Sequence, residues 1–215
     1  MHVMQARTYD RRAAAAYALR HWNNPNPAYA NMDQLGAGGD CTNFTSQALF
    51  AGGFAMDYRA PGYYTEWWYR RVGREPFDAA LDDWWSCTWS LPENQFHYLA
   101  RNFGRAFDAR RDREAFREVA LGDIFYYDWD GDGRFNHSSI VTGFDRFGRP
   151  LVTYRTLSPR QPVLNAHWEL TFRGNAARIF AIHLTDRPAA FPASPDWNRL
   201  RPCESRRAVS RGGGP

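Results

Sequence analysis

The sequence predicts an α+β fold in which helices come first and a small antiparallel sheet follows. Three observations carry this. Residues 9–22 and 41–51 repeat their apolar side chains at helical spacing. Residues 122–184 instead break into short apolar runs separated by glycine and aspartate. The 215 residues, 44% hydrophobic and 16% aromatic, suffice for one sizeable core. Residues 1–185 are therefore expected to form one domain. Residues 186–215, rich in proline, arginine and glycine, are expected to be a disordered tail.

Taken in order, Tyr9 to Trp22 reads as the first helix, with Asp10 at its start and Tyr9, Ala13, Ala16, Tyr17 and Arg20 at helical spacing. Asn23-Asn24-Pro25-Asn26-Pro27 ends it, because proline disfavours helix at itself and at the residue before it. After a loop carrying Tyr29, Gly36-Ala37-Gly38-Gly39 leads to Asp40 and a second helix, Cys41 to Ala51, closed by Gly52-Gly53. Phe54 to Leu121 is dense in rings. These rings, Tyr63, Tyr64, Trp67, Trp68, Tyr69, Trp84, Trp85 and Trp89 among them, either cover the core or line a cleft for an extended ligand. In the second case Trp67, Trp68, Trp85 and Trp89 are the substrate-binding candidates. Ser90-Leu91-Pro92-Glu93 has the form of a capping box ahead of a helical face of Phe96, Leu99 and Phe103, and a charged helix is expected near Arg110 to Val119. Four strands follow, at Gly122 to Tyr127, His137 to Gly143, Leu151 to Thr156 and Arg178 to Leu184.

Composition excludes several classes. The net charge of +4 is carried by scattered arginines interleaved with 23 acidic residues, and the chain has no lysine, so no nucleic-acid surface is expected. No run of eighteen apolar residues exists, so no membrane span is expected. The N-terminus lacks the apolar core of a secretory signal, and as written the chain is expected to start in the cytoplasm, or outside it if a leader is missing. Three cysteines at irregular spacing, Cys41, Cys87 and Cys203, imply neither a disulfide framework nor a zinc site. Asp128-Trp129-Asp130-Gly131-Asp132-Gly133 resembles the start of a calcium loop, but its twelfth position is Ser139 rather than glutamate, and it reads as a turn. No metal or other cofactor is expected.

The candidate chemistry centres on Cys41. In the first turn of a helix, unpaired N–H groups and the helix dipole favour a thiolate, the form a nucleophilic cysteine needs. A thiolate needs a base, and among six histidines His137 is the best placed, opening a strand directly after a Gly/Asp turn. Asp40 caps the helix, holds the loop or tunes the cysteine. The N–H of Cys41 would be one oxyanion donor, with Tyr29 and Asn43 as candidates for a second.

Asp40-Cys41-Thr42-Asn43-Phe44, Ser86 to Trp89 in a Ser-x-x-Trp pattern, Gly122-Asp123, and His137-Ser138 with Ile140-Val141-Thr142 resemble the bacterial putative amidase domain family. That family is similar to papain-like cell-wall cysteine peptidases of the NlpC type. The resemblance runs from about Tyr9 to Leu184. It implies a papain-like arrangement, with a helix bearing the nucleophile packed on an antiparallel sheet bearing the base, and a peptide or other amide as substrate, peptidoglycan included. One position departs from the pattern: the family carries a histidine on the third strand where this chain has Arg155. Arginine cannot accept a bond from an imidazole, and its charge opposes an imidazolium. Thr153, on the same strand face, or Asn165, or no residue at all, would then take the place of the third catalytic residue. Two function classes follow: a cysteine amidase or peptidase, and a catalytically silent relative that binds peptide or glycan in an aromatic cleft. An acyl transferase would use the same residues.

Overall fold

A computed structural model describes residues 8–34, 39–59, 65–72, 83–156, 161–171, 178–188 and 195–203. The loop residues Gly36, Ala37 and Gly38, the rings of Tyr63 and Tyr64, and the tail beyond Cys203 lie outside the described residues. The first helix, α1 (Arg11–His21), is capped by Asp10, whose carboxylate accepts the Ala13 N–H at 2.8 Å. Then come α2 (Cys41–Ala51), β1 (Tyr69–Arg70), β2 (Trp84–Trp85), α3 (Cys87–Ser90), α4 (Pro92–Asn102), β3 (Gly104–Asp108) and α5 (Arg113–Phe116). The chain ends in β4 (Ile124–Asp128), β5 (His137–Phe144), β6 (Pro150–Tyr154), β7 (Val163–His167) and β8 (Arg178–Leu184).

Helices thus precede an antiparallel sheet, in an α+β architecture. The main sheet has six strands in the order β3-β8-β4-β5-β6-β7, and β1 pairs with β2 separately. Because side chains alternate along a strand, the sheet divides two apolar clusters. On one face Tyr126, Ile140 and Ile182 meet Phe44, Ala48 and Leu49 of α2, together with Ala14 and Ala18 of α1 and Phe96 and Leu99 of α4. On the other, Phe125, Tyr127, Val141, Val152 and Ile179 pack under Phe107, Ala115, Trp129 and Trp168.

The second helix is the hub. Every residue from Cys41 to Leu49 is buried, although five of them are uncharged polar side chains. Burial at that density holds only if the polar groups are matched. Ser46 Oγ donates to the Trp89 carbonyl at 2.8 Å and accepts from Trp67 Nε1 at 3.0 Å and Gln95 Nε2 at 2.7 Å. Gln47 Oε1 accepts the Tyr17 hydroxyl at 2.7 Å, whereas its Nε2 is an exception, buried without a hydrogen-bond partner among the described residues. A second fixed point is Gly122, at φ +79°, where the Tyr9 hydroxyl donates to its carbonyl at 2.9 Å; a side chain there would be strained and would strike the tyrosine.

The structure departs from the sequence reading in several places. The Ser90 to Glu93 capping box does not form, since Leu91 is the N-cap and makes no side-chain bond. Glu93 instead accepts the Phe135 N–H at 2.8 Å and pairs with His97 at 2.8 Å. The helix expected over Arg110 to Val119 is only the four-residue α5. Strands β3 and β7, both at sheet edges, are additional. Cys87 and Cys203 form a disulfide, Cα atoms 4.6 Å apart, which corrects the expectation of no disulfide. Residues 195–203, expected in a disordered tail, are tied to the body. Cys203 N–H donates to Trp85 O at 2.8 Å, Leu200 is buried, and Trp197 packs edge-on against Trp68 with Arg70 over its ring. No helix among the described residues is long and apolar enough to cross a membrane.

Candidate functional site

Cys41 is the first residue of α2, so its N–H belongs to the helical turn that lacks internal partners. It is the free cysteine, and only 6% exposed. The sulfur lies by the start of β5: Thr42 Oγ1 is 3.7 Å from it, and Ser138 N–H and hydroxyl act on it as donors that lower its pKa. Behind that contact the hydroxyls continue. Thr42 Oγ1 is 3.1 Å from Ser138 Oγ, which is 3.5 Å from Thr45 Oγ1; Thr45 is 3.1 Å from Gln95 Oε1, which also accepts the Tyr126 hydroxyl at 2.8 Å.

Burial governs the thiol. It pushes the Cys41 pKa up, against the opposite pull of the Ser138 and Thr42 donors, while the Asp40 charge adds to the rise. The helix N-terminus was expected to favour a thiolate, and burial of the sulfur works against that expectation.

His137 immediately precedes Ser138 and is 2% exposed. Since successive side chains leave a strand on opposite faces, Ser138 points toward α2 and His137 toward the other pleat. Its ring stacks on Trp129 with centroids 4.3 Å apart, meets Tyr154 edge-on at 4.3 Å, and lies 5.7 Å from Tyr127. The thiol and the imidazole therefore reach neighbouring residues of β5 from its two sides.

Thr153 is drawn into another cluster. Its hydroxyl bonds Thr142 Oγ1 at 2.7 Å and accepts the Asn165 N–H at 3.1 Å, while Asn165 Oδ1 accepts from Thr142 at 2.8 Å. Asp40 does not cap α2 with its side chain. It is fully buried and accepts from Arg155, from Asn43 Nδ2 at 2.7 Å and from the Met32 N–H at 3.1 Å. Asn43 is likewise committed: Nδ2 also donates to Ala30 O at 2.8 Å, and Oδ1 accepts Trp89 Nε1 at 2.7 Å. Its amide holds the loop and is not offered to a substrate. Tyr29, the other candidate donor, stacks on Trp89 at 5.9 Å. Arg155 closes on Asp40, donates to His21 O at 3.2 Å and lies over the Phe44 ring at 5.3 Å.

The four tryptophans proposed as a substrate cleft are core residues. Trp67, Trp68, Trp85 and Trp89 are each no more than 1% exposed. Trp67, Trp89 and Tyr69 form a continuous aromatic block under α2, because burying these rings is the largest apolar gain available to them. Sequence reasoning did not find Ser138 as a partner of the sulfur, although its place beside His137 was the available signal. It also did not find the Asp40–Arg155 pair, because nothing local links residues 115 apart.

Asp128, Asp130 and Asp132 bring carboxylate oxygens within 4.8 Å of one another. Asp128 is already occupied by the Gly131 and Gly133 N–H groups and by Arg178, and Asp130 accepts from Asn136. Those bonds build the turn that delivers His137.

Comparison with known proteins places this geometry in context. The chain is similar to the uncharacterized protein YhbB of Bacillus subtilis (strain 168), 37% identical over 152 residues, which are 71% of this chain and 43% of that protein. The chain thus spans less than half the length of this relative. No solved structure matches. A family model described as a putative amidase domain matches residues 8–182, from just before α1 into β8 and including Cys41 and His137, and on that match the chain belongs to this amidase family.

Proposed function

We propose that the chain is a cysteine-dependent amide-bond hydrolase, with Cys41 as nucleophile and His137 as base. One observation carries the reading: the sulfur stands at the N-terminus of a buried helix and is linked through Thr42 to Ser138, the strand residue next to a histidine, in a chain of the amidase family. In the reaction His137 takes the proton of the Cys41 thiol as sulfur attacks the amide carbonyl carbon. The oxyanion is held by the Cys41 N–H. Collapse breaks the C–N bond, the imidazolium returns the proton to the departing amine, and a thioester remains. Water, deprotonated by the neutral imidazole, then releases the acid and restores the thiol. Because the imidazole lies between Trp129 and Tyr154 on the face of β5 away from the sulfur, the reading demands that the start of β5 rearrange its backbone so that the ring reaches the thiol. Cell-wall peptides are the proposed substrates, on the resemblance to NlpC-type peptidases.

The orientation of His137 and the upward shift of the thiol favour a second reading, a catalytically silent relative. Burial of the four tryptophans removes the aromatic cleft from that reading. Mass spectrometry after incubation with peptidoglycan fragments separates the two. The hydrolase gives cleaved products and a trapped acyl adduct on Cys41, with rates falling about 100-fold or more in His137→Ala and to background in Cys41→Ala. Equal turnover by Cys41→Ala sinks the cysteine mechanism, and absence of any product or adduct favours the silent relative.

A further inference from the structure

We infer that Arg155 is a positioning residue for Cys41, acting through Asp40 to offset the negative charge that adjoins the sulfur. This rests on the reading of Cys41 as the nucleophile. Arg155 stands just past β6, where the family pattern has a histidine, and its charge was expected to oppose catalysis. The geometry gives that charge a different use.

Asp40 is the residue before Cys41, and its carboxylate is fully buried at the head of α2. A lone carboxylate there would be costly and would hold the neighbouring thiol in its protonated form. The guanidinium brings both Nε and Nη2 to the single oxygen Oδ2, while Oδ1 is left to Asn43 and the Met32 N–H. Arg155 itself is 2% exposed and fixed from three directions, by Asp40, by the carbonyl of His21 at the end of α1, and by the face of Phe44 in α2. The loop is fastened beside it, since the Asp40 N–H and Thr156 Oγ1 both donate to Asp33 Oδ1, at 3.2 and 2.9 Å. The pair thus links the nucleophile to α1 and to the end of β6, and it sets a positive charge against the carboxylate whose remaining field still raises the Cys41 pKa. The charged and titratable groups facing this cluster are Asp33 from the loop, Tyr17 from α1 and Tyr126 from β4; His137 lies on the other face of β5.

The test is the pH dependence of iodoacetamide modification of Cys41, read by mass spectrometry on the intact, oxidised chain. Asp40→Asn leaves the arginine charge unopposed and should move the midpoint down, and Arg155→Met leaves the aspartate unopposed and should move it up, each by about one pH unit, a tenfold change in thiolate. The double variant Asp40→Asn/Arg155→Met should return toward the wild-type midpoint, and Arg155→Lys should lie between Arg155→Met and wild type. Opposite signs from the two halves of one ion pair are not produced by loosened packing, so shifts of the same sign, or unmoved midpoints, overturn the inference. If Arg155→Met does not fold, Asp40→Asn decides: a midpoint at or above wild type overturns it. The assay uses no amide substrate. Unmoved midpoints in an enzyme that still cleaves amides refute Arg155 alone, whereas the expected shifts without turnover refute the hydrolase and leave the electrostatic role standing.

Discussion

Replacing Asn43 with leucine tests whether the head of α2 is held as described. The leucine nearly conserves volume and keeps the helix, but it deletes three hydrogen bonds of 2.7–2.8 Å. The Ala30 carbonyl and the Trp89 N–H are left buried with their Asn43 bonds gone, and a buried unsatisfied group costs about 1–3 kcal/mol. Asp40 keeps Arg155 and the Met32 N–H, so its loss is partial. The sum is about 3–4 kcal/mol, a large share of the roughly 5–15 kcal/mol that holds a domain together. Urea unfolding followed by tryptophan fluorescence reads this directly, because Trp67 and Trp89 lie in the core beside the mutated site. With a slope of about 2 kcal/mol per molar urea, the midpoint should fall by nearly 2 M with an unchanged slope. A fall of less than about 0.5 M, equivalent to about 1 kcal/mol, would refute the bonding scheme. Loss of amide turnover with an unmoved midpoint would instead return Asn43 to the role of oxyanion donor.

Two further outcomes follow from the same packing. Reducing the Cys87–Cys203 bond, or changing both residues to alanine, should lower stability by about 2–4 kcal/mol in urea titrations run with and without dithiothreitol; the staple closes a loop over a separation of 116 residues. Equal midpoints in the two conditions would argue against the bond. His183 donates to buried Asp123 at 2.8 Å, and that bond, partly opposed by burial, raises its pKa above the usual imidazole range. Since the folded value is the higher one, its stabilising effect is complete below the ordinary value near 6.5 and is lost as pH rises through the raised value. Thermal midpoints should therefore drop across that window in wild type and stay flat in His183→Gln, and parallel profiles would exclude the linkage.

Much of the skeleton is legible in the sequence. The helices α1, α2 and α4 and the strands β4, β5 and β8 announce themselves because each buries a continuous apolar set at one period. The edge strands do not: β3 and β7 are only half-covered, and β7 carries Asn165 at φ +49°, so neither shows a clean alternation. The location of Cys41 in a first helical turn was readable from its flanking residues. Its protonation was not, because the number of atoms that bury a sulfur is a tertiary quantity. The tryptophans illustrate the same limit. Their density signals burial and binding equally well, and only the partners decide, as when Trp67 and Trp89 each find a buried acceptor for the indole N–H. Arg155 looked like a defect in a catalytic set because its carboxylate partner lies far away in sequence, beyond any local pattern.

The staple between Cys87 and Cys203 has a consequence for how the chain must assemble. Three sulfurs allow three pairings, and the two that come first in the polypeptide, Cys41 and Cys87, are the wrong couple. Wherever oxidation takes place, Cys41 has to be folded away into its helix before Cys87 is free to react, or else the mispaired bond has to be exchanged later. The deep seat of Cys41 is thus what keeps its sulfur unpaired until the final cysteine arrives.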